Sequence, residues 1–283
     1  MRDKTRIAVV GYGFVGKAVV FGFRNSLNEI LVVDPKEGYS SIDDLKYFKP
    51  DFTFVCVPTP MNDKGSIDSR TISAVVKELR QVEPGIVIIK STVTPDVVKD
   101  TCNHKHFVYN PEFLTERNSF DEFINPKFHI LGGSSKSTKK VNKLYKFNSN
   151  CNPAPAYYMT AVEASLVKYG INSFLATKVV WFNQWKELVE LEGARYNVVL
   201  SAMTSDKRVG SSHTAVPGFD GKKGFGGSCL PKDTSAIWNY CIDEHSPNIL
   251  SLVGEVIRKN NKYRSEYELD EREKKQNIKY RGD

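Results

Sequence analysis

Long hydrophobic runs are missing from this chain, and other absences narrow it further. No apolar stretch reaches the length needed to cross a bilayer, so no membrane span is expected. The N-terminus, Met1 to Arg6, is polar and leads straight into a strand pattern, without the regions of a signal peptide. Cysteine is scarce: Cys56, Cys102, Cys151, Cys229 and Cys241 are odd in number, irregularly spaced and contain no CxxC pair. That pattern argues against a disulfide framework and against a zinc site, so no metal is expected and a reducing cytoplasm is the fitting compartment. There is no internal repeat and no basic block interleaved with aromatics, which argues against nucleic acid as a partner. The net charge of +7 over 283 residues fits either a polyanionic ligand such as a nucleotide or a plain solvated surface.

What is present is a chain long enough for two lobes. The first half alternates short apolar runs with helical patterns. Ile7–Val10, Ile30–Val33, Phe52–Val57 and Ile86–Ile89 read as buried strands, with Phe107–Tyr109 and His129–Leu131 as weaker ones. Helices are expected over about Phe14 to Asn25 and Ser69 to Gln81. Continuous apolar strands separated by helices predict a parallel sheet covered on both faces, a doubly wound Rossmann-type domain over residues 1–155. From about Met159 to Glu192 apolar residues recur at helical spacing without a proline, predicting one long connecting helix with a possible bend at Gly170. It links two lobes or forms a dimer seam, and Trp181, Phe182 and Trp185 at its middle read as packing residues. A short helix at about Asn197 to Met203, a polar loop from Thr204 to Lys223, and helices after Pro231 and Pro247 complete a small all-helical lobe. Residues 156–250 are therefore expected to form a helical domain carrying a cysteine. Residues 251–283, crowded with both charges from Lys259 on, are expected as a solvated helix or frayed tail.

Two motifs carry chemistry. Gly11-Tyr12-Gly13-Phe14-Val15-Gly16 follows the first strand and opens a helix, and Asp34 ends the next strand. Gly11 permits the tight turn, Gly13 lets backbone approach a pyrophosphate, and Gly16 allows close helix–strand packing. Amides at the helix start, with Phe14 and Val15 among its first residues, then face the phosphates. Asp34 should accept hydrogen bonds from ribose hydroxyls and repel a 2′-phosphate, which favours NAD over NADP. The second motif is Gly224-Phe225-Gly226-Gly227-Ser228-Cys229-Leu230-Pro231-Lys232-Asp233. It sets one thiol between a glycine-rich turn and a helix start, where the dipole stabilises a thiolate nucleophile. Cys229 and Asp233 share a helical face by their i,i+4 spacing. A nicotinamide together with a cysteine nucleophile points to oxidation through a thioester.

With GYGFVG at Gly11, VCVPTP at Val55, KSTV at Lys90, NPEFLTER at Asn110 and FGGSCLPKD at Phe225, the chain resembles the UDP-glucose/GDP-mannose dehydrogenase family. These five motifs stand in the family's order from the first strand to about Asp233. The resemblance implies a four-electron oxidation of a sugar C6 alcohol, UDP-glucose favoured, with NAD as cofactor. It makes Cys229 the nucleophile that captures the aldehyde as a thiohemiacetal and carries the thioester. It makes Asp233 an aid to proton transfer or water placement. Lys168 and Asn172 become contacts to the reacting sugar. Glu112 becomes the base for thioester hydrolysis, and Thr92 the residue that holds the water. Thr59, Thr92, Glu116 and Lys232 join the glycine turn and Asp34 as cofactor contacts. Phe113, Leu114, Phe225, Gly226 and Gly227 join Glu112, Lys168 and Asn172 around the substrate. Arg208 resembles the arginine of the family's RIG segment, and His213 matches nothing there. By spacing alone, Glu112 with Glu116 and Lys168 with Asn172 would read as solvated residues.

Family members usually continue into a second Rossmann-like domain that grips the nucleotide half of the sugar donor. No second glycine-rich turn follows Asp233 here, so the chain is expected to be a shortened form. Several readings stay open. It is a compact dehydrogenase that binds its sugar through a dimer seam on the long helix or through another chain, with GDP-mannose as an alternative substrate. It is a two-electron hydroxyacid-type dehydrogenase, against which Cys229 counts. Or it is a non-catalytic, partner-dependent nucleotide-binding remnant. In the enzymatic reading, the sulfur of Cys229 is expected close to the nicotinamide held above the first glycine turn.

Overall fold

The apolar runs of the first half assemble into one sheet. In a computed structural model that describes residues 4–280, the strands are β1 (Thr5–Val10), β2 (Asn28–Val33), β3 (Phe52–Val55), β4 (Ile86–Ile89), β5 (Phe107–Tyr109), β6 (His129–Gly133) and β7 (Ala156–Met159), in the order β2-β1-β3-β4-β5-β6-β7. Met1–Asp3 of the polar N-terminus and Arg281–Asp283 of the charged C-terminal stretch lie outside the described residues. β1 to β5 are mutually parallel. The expected parallel arrangement holds from β2 to β5 and the sheet departs from it at the far edge. β6 runs antiparallel to β5, and β7 is parallel to β6. A hydrophobic run does not encode strand direction, so this reversal was not legible in the sequence.

The helices are α1 (Phe14–Phe23), α2 (Leu45–Phe48), α3 (Arg70–Leu79), α4 (Pro95–Thr101), α5 (Ser119–Ile124), α6 (Ser135–Asn148), the long α7 (Ala161–Leu191), α8 (Tyr196–Ser205), α9 (Leu230–Glu244), α10 (Ser251–Arg264) and α11 (Glu271–Lys275). α7 runs unbroken through Gly170, so no interruption marks the expected bend. The chain divides into two compact units. One takes the chain up to Thr59 and again Asp68–Lys168, and the other takes Pro60–Ile67 and everything from Tyr169 on. Among the described residues no helix is long and apolar enough to cross a membrane.

In the first unit, all four residues of β4 are buried, as are the last four of β1. Ile7, Val9, Phe23, Phe54, Ile88, Val108, Leu131 and Tyr145 form its apolar core. α1 lies so close to α5 that a Cβ on Gly22 would fall 2.2 Å from the Phe123 ring. α6 buries Ser137, Thr138, Val141, Leu144 and Tyr145, one helical face by spacing, and Ser134 caps it by accepting from Ser137 N.

Among the described residues the second unit is helical apart from its loops and one isolated antiparallel bridge between Met61 and Ile67. Ala176, Val180, Phe225 and Val256 make one apolar cluster, and Phe182, Val189 and Tyr196 make another. Trp181 and Trp185 stack at 5.2 Å with their planes 9° apart, while Trp181 itself is exposed. The charged C-terminal stretch is not simply solvated. Arg264 is 1% exposed and Glu273 0%. Their opposite charges meet each other inside the unit, which permits a burial that neither alone could support.

Candidate active site

In the first unit, β1 delivers the chain to Gly11 at φ +90°, where a Cβ would lie 2.9 Å from the backbone of Cys56 and Val57. A Cβ on Gly16 would lie 2.0 Å from the Gly11 carbonyl oxygen, so α1 can begin here only with glycine at that place. Gly13 is different: a Cβ there would meet nothing within 4 Å. It stands at the N-cap of α1 in extended conformation, no side chain caps it, and the first turn carries no acid. An open helix start without a competing carboxylate suits an anion, and Gly13, Phe14 and Val15 supply the amides. Asp34 follows β2, and its Oδ2 accepts from Tyr12 N at 2.8 Å. That bond ties the glycine turn to the end of β2 and leaves the carboxylate capacity for further donors. These residues fit the adenosine diphosphate end of a dinucleotide.

Thr59 and Thr92 are both buried, and the Thr59 hydroxyl donates to the Thr92 carbonyl at 2.9 Å. Ser91 donates likewise to Val57 at 2.7 Å. The segments after β3 and β4 are thus cross-linked where they leave the sheet.

Glu112 and Lys168 come together in this unit. Lys168 donates to the Glu112 carbonyl at 2.6 Å, and its Nζ lies 3.6 Å from Oε1. Glu112 Oε2 accepts from Leu114 N at 2.5 Å, and the Lys168 ammonium sits 5.1 Å from the centre of the Phe113 ring. Both charged residues are buried, so the solvated reading that spacing alone allowed does not hold for them. Glu116, by contrast, is exposed at the start of a single 3-10 turn.

The second unit holds the cysteine motif. Gly224 and Gly227 adopt φ of +72° and +82°, so the turn requires glycine at both. Asn260 grips Phe225 on both sides, accepting from its N at 2.7 Å and donating to its carbonyl at 3.1 Å. Gly224 N donates to Asn183 Oδ1 at 3.2 Å, and Gly227 N to Glu273 Oε1 at 3.1 Å. Cys229 is half-buried at the N-cap of α9, with Pro231 in the first turn, and its carbonyl accepts from Asp233 N at 2.8 Å. Its Sγ lies 3.5 Å from the Ser228 hydroxyl. Asp233 is 1% exposed. One carboxylate oxygen accepts from Lys232 Nζ at 2.5 Å and the other from Asn172 Nδ2 at 2.6 Å. Lys232, expected as a cofactor contact, has its ammonium on Asp233. Arg208 is exposed and pairs with Asp206, and His213 holds a left-handed backbone conformation at φ +61°.

Residues 37–148 match the NAD binding domain of the UDP-glucose/GDP-mannose dehydrogenase family, and residues 162–262 match its central domain. The chain belongs to this family. A UDP-glucose 6-dehydrogenase of Campylobacter jejuni is 28% identical over 268 residues, covering 82% of this chain and 67% of the relative. One from Rickettsia bellii is 31% identical over 226 residues, covering 77% of this chain and 50% of its own length. The chain therefore spans half to two thirds of the length of these curated relatives. The structure of a UDP-glucose dehydrogenase from the hyperthermophilic archaeon Pyrobaculum islandicum superposes with a TM-score of 0.76 at 26% identity, over 92% of this chain and 68% of that one. NAD is accordingly the cofactor of the domain that carries the first glycine turn.

Two family motifs hold residues to which sequence reasoning gave no role. Lys90, of KSTV, is buried and donates to Asn110 Oδ1 at 3.2 Å. The same oxygen accepts from Tyr145 OH at 2.8 Å, and Asn110 Nδ2 donates to the Ile130 carbonyl at 2.9 Å. This network fixes the chain two residues before Glu112. Burial lowers the Lys90 amine to about 8 and raises the Cys56 thiol to about 12. His129, stacked on Tyr145 at 4.3 Å, is lowered to about 4 by burial and then by the Lys90 charge. The available signal was a lysine placed directly after the wholly apolar run Ile86–Ile89.

Proposed function

We propose that this chain oxidises the C6 alcohol of a nucleotide sugar to the carboxylate, with UDP-glucose as the favoured substrate, through a covalent intermediate on Cys229. The observation that carries the reading is the Cys229–Asp233 turn of α9: a thiol at a helix start, one turn ahead of a buried carboxylate held by an amide and an ammonium. The relatives named above, both UDP-glucose 6-dehydrogenases, support the substrate. Bound NAD supplies a hydride acceptor for each of the two oxidation steps.

The protein's own groups take the remaining work. Asn172 and Lys168 bear on the developing charge at the C6 oxygen as donors. The Cys229 sulfur adds to the aldehyde carbon, forming a C–S bond and holding the aldehyde as a thiohemiacetal. Loss of a second hydride leaves a thioester. Water placed by Thr92 and Asp233 attacks it, Glu112 takes the proton, and the C–S bond breaks to release the carboxylate and regenerate the thiol. One alcohol, one water and two oxidised cofactors give one carboxylate, two reduced cofactors and three protons released to solvent. Glu116, Thr59 and Lys232 are assigned to the cofactor, and Phe113, Leu114, Phe225, Gly226 and Gly227 to the substrate. Cysteines that form no disulfide suit a reducing cytoplasm.

The long helix supports a homodimer. Phe174, Trp181 and Leu188 recur at seven-residue intervals on α7 and are 67%, 44% and 45% exposed. Such a stripe of large apolar side chains suits a helix–helix seam.

The test is stoichiometry. Incubation with NAD and a panel of UDP- and GDP-sugars is expected to yield two reduced cofactors per sugar acid. Cys229→Ser should bind NAD as well as the parent and form no acid. Silence with every sugar, despite measured NAD binding, would overturn the catalytic reading.

A further inference from the structure

After α10 the chain folds back over its own cysteine turn. Asp270 caps α11 in a reciprocal capping box with Glu273. Past α11, Gln276 accepts from Met61 N at 2.9 Å and Asn277 Nδ2 donates to the Met61 carbonyl at 2.9 Å, so the segment is tied down on both sides. Its centre is Glu273. Oε1 accepts from Arg264 Nη2 at 2.8 Å, from Tyr280 OH at 2.7 Å and from Gly227 N at 3.1 Å, while Oε2 accepts from Asp270 N at 2.9 Å. Arg264 turns its other terminal nitrogen to Asp220 Oδ2 at 2.7 Å. A Cβ on Gly226 would lie 2.1 Å from Arg264 Nη2 and 2.6 Å from Glu273 Oε1, so turn, guanidinium and carboxylate are in direct contact.

One carboxylate therefore joins the end of α10, the C-terminal segment and the turn that stands two residues before Cys229. Its bond to Gly227 reaches a left-handed residue with no side chain of its own to hold it in place. A charge-assisted bond from a saturated, immobile carboxylate is a strong way to fix such a peptide unit. We propose that Glu273 is a positioning residue: through Gly227 it sets the conformation of the glycine turn and thereby the presentation of the Cys229 thiol. The consequence for turnover rests on the nucleophile reading above. The consequence for the thiol does not.

The experiment is alkylation of the full chain by iodoacetamide, with the rate at each cysteine followed by mass spectrometry in the parent, Glu273→Gln and Glu273→Ala. Thermal unfolding is measured in parallel. Glu273→Ala is expected to change the Cys229 rate about tenfold, because a misplacement of about 1 Å can alter a reacting group's rate up to about a hundredfold. Cys102 and Cys151, in the other unit, should keep their rates. Glu273→Gln keeps an acceptor for Gly227 N and should stay within about threefold of the parent on the same scale. Should Glu273→Ala fail to fold, amide exchange at Gly227 in Tyr280→Phe replaces it, with faster exchange expected. A folded Glu273→Ala with parental Cys229 reactivity, or unchanged Gly227 exchange in Tyr280→Phe, overturns the proposal. A changed alkylation rate in a chain that oxidises no sugar sinks only the catalytic reading.

Discussion

Asn172 donates through Nδ2 to Asp233 Oδ2 at 2.6 Å, from the long helix to the first turn of α9. Lys232 occupies the other carboxylate oxygen, so a group that is 1% exposed is held by one neutral and one charged donor. Replacing Asn172 by Leu leaves Oδ2 buried without that donor. The expected loss is about 1–3 kcal/mol in urea unfolding. Asn172→Asp is expected to be worse, because two carboxylates at this distance cannot both ionise. Its stability should fall as pH rises from 5 to 8, and equal stability at the two pH values would remove the carboxylate from this argument.

The glycine turn separates folding from binding. A methyl group on Gly16 collides with the Gly11 carbonyl, whereas one on Gly13 meets open space, and Gly13 has a negative φ that alanine adopts without strain. Gly16→Ala is therefore expected to lower the melting temperature by several degrees, as a loss of about 1–3 kcal/mol would. Gly13→Ala should melt with the parent yet bind NAD at least about tenfold more weakly, because the methyl occupies the path of the pyrophosphate. Calorimetry and NAD titration on both variants decide it. Parental NAD affinity in Gly13→Ala would place the cofactor elsewhere.

These two sites also show what could be read ahead of the structure. The role of Gly16 follows from a motif whose geometry is local, and the strand before it and the helix after it are where the apolar periodicity puts them. Asn172 and Asp233 are sixty-one positions apart, and nothing in either neighbourhood says that they meet. The resemblance named both without predicting their bond. α6 was missed because its buried face includes Ser137 and Thr138, while five lysines on the same helix hide the apolar period. Residues 265–280 read as solvated because charge content reports composition, not pairing. Only the fold reveals that Glu273 and Arg264 neutralise each other. β7 escaped notice because two of its four residues, Tyr157 and Tyr158, are exposed and give no buried run.

The apolar stripe of α7 makes a prediction about assembly. Phe174→Glu with Trp181→Glu places two carboxylates on the proposed seam while leaving the buried face of the helix, Ala176 and Val180, unchanged. Light scattering is expected to show a dimer for the parent and a monomer for the double variant. A monomeric parent at micromolar concentration would end the homodimer reading.

Acid should unfold the first unit through His129. His129 is 8% exposed, its ring stacks on Tyr145 with the planes 28° apart, and it is lowered to about 4 from an ordinary 6.5 by burial and by the Lys90 charge. Between pH 6.5 and 4 the unfolded chain binds a proton that the folded chain refuses. Stability is therefore fully present above 6.5 and declines as pH falls through this window. The full shift corresponds to about 3 kcal/mol by pH 4. His129→Phe keeps an aromatic ring against Tyr145 and removes the titration, so its stability profile should be flatter by that amount over the window. Lys90→Met removes the second cause, so the ring accepts its proton more readily in the folded chain and the acid loss over this window is expected to be smaller than in the parent. Carboxylates titrate in all three proteins and cancel in the difference. Superimposable profiles for the parent and His129→Phe between pH 4 and 6.5 would show that this histidine is not the group that resists protonation.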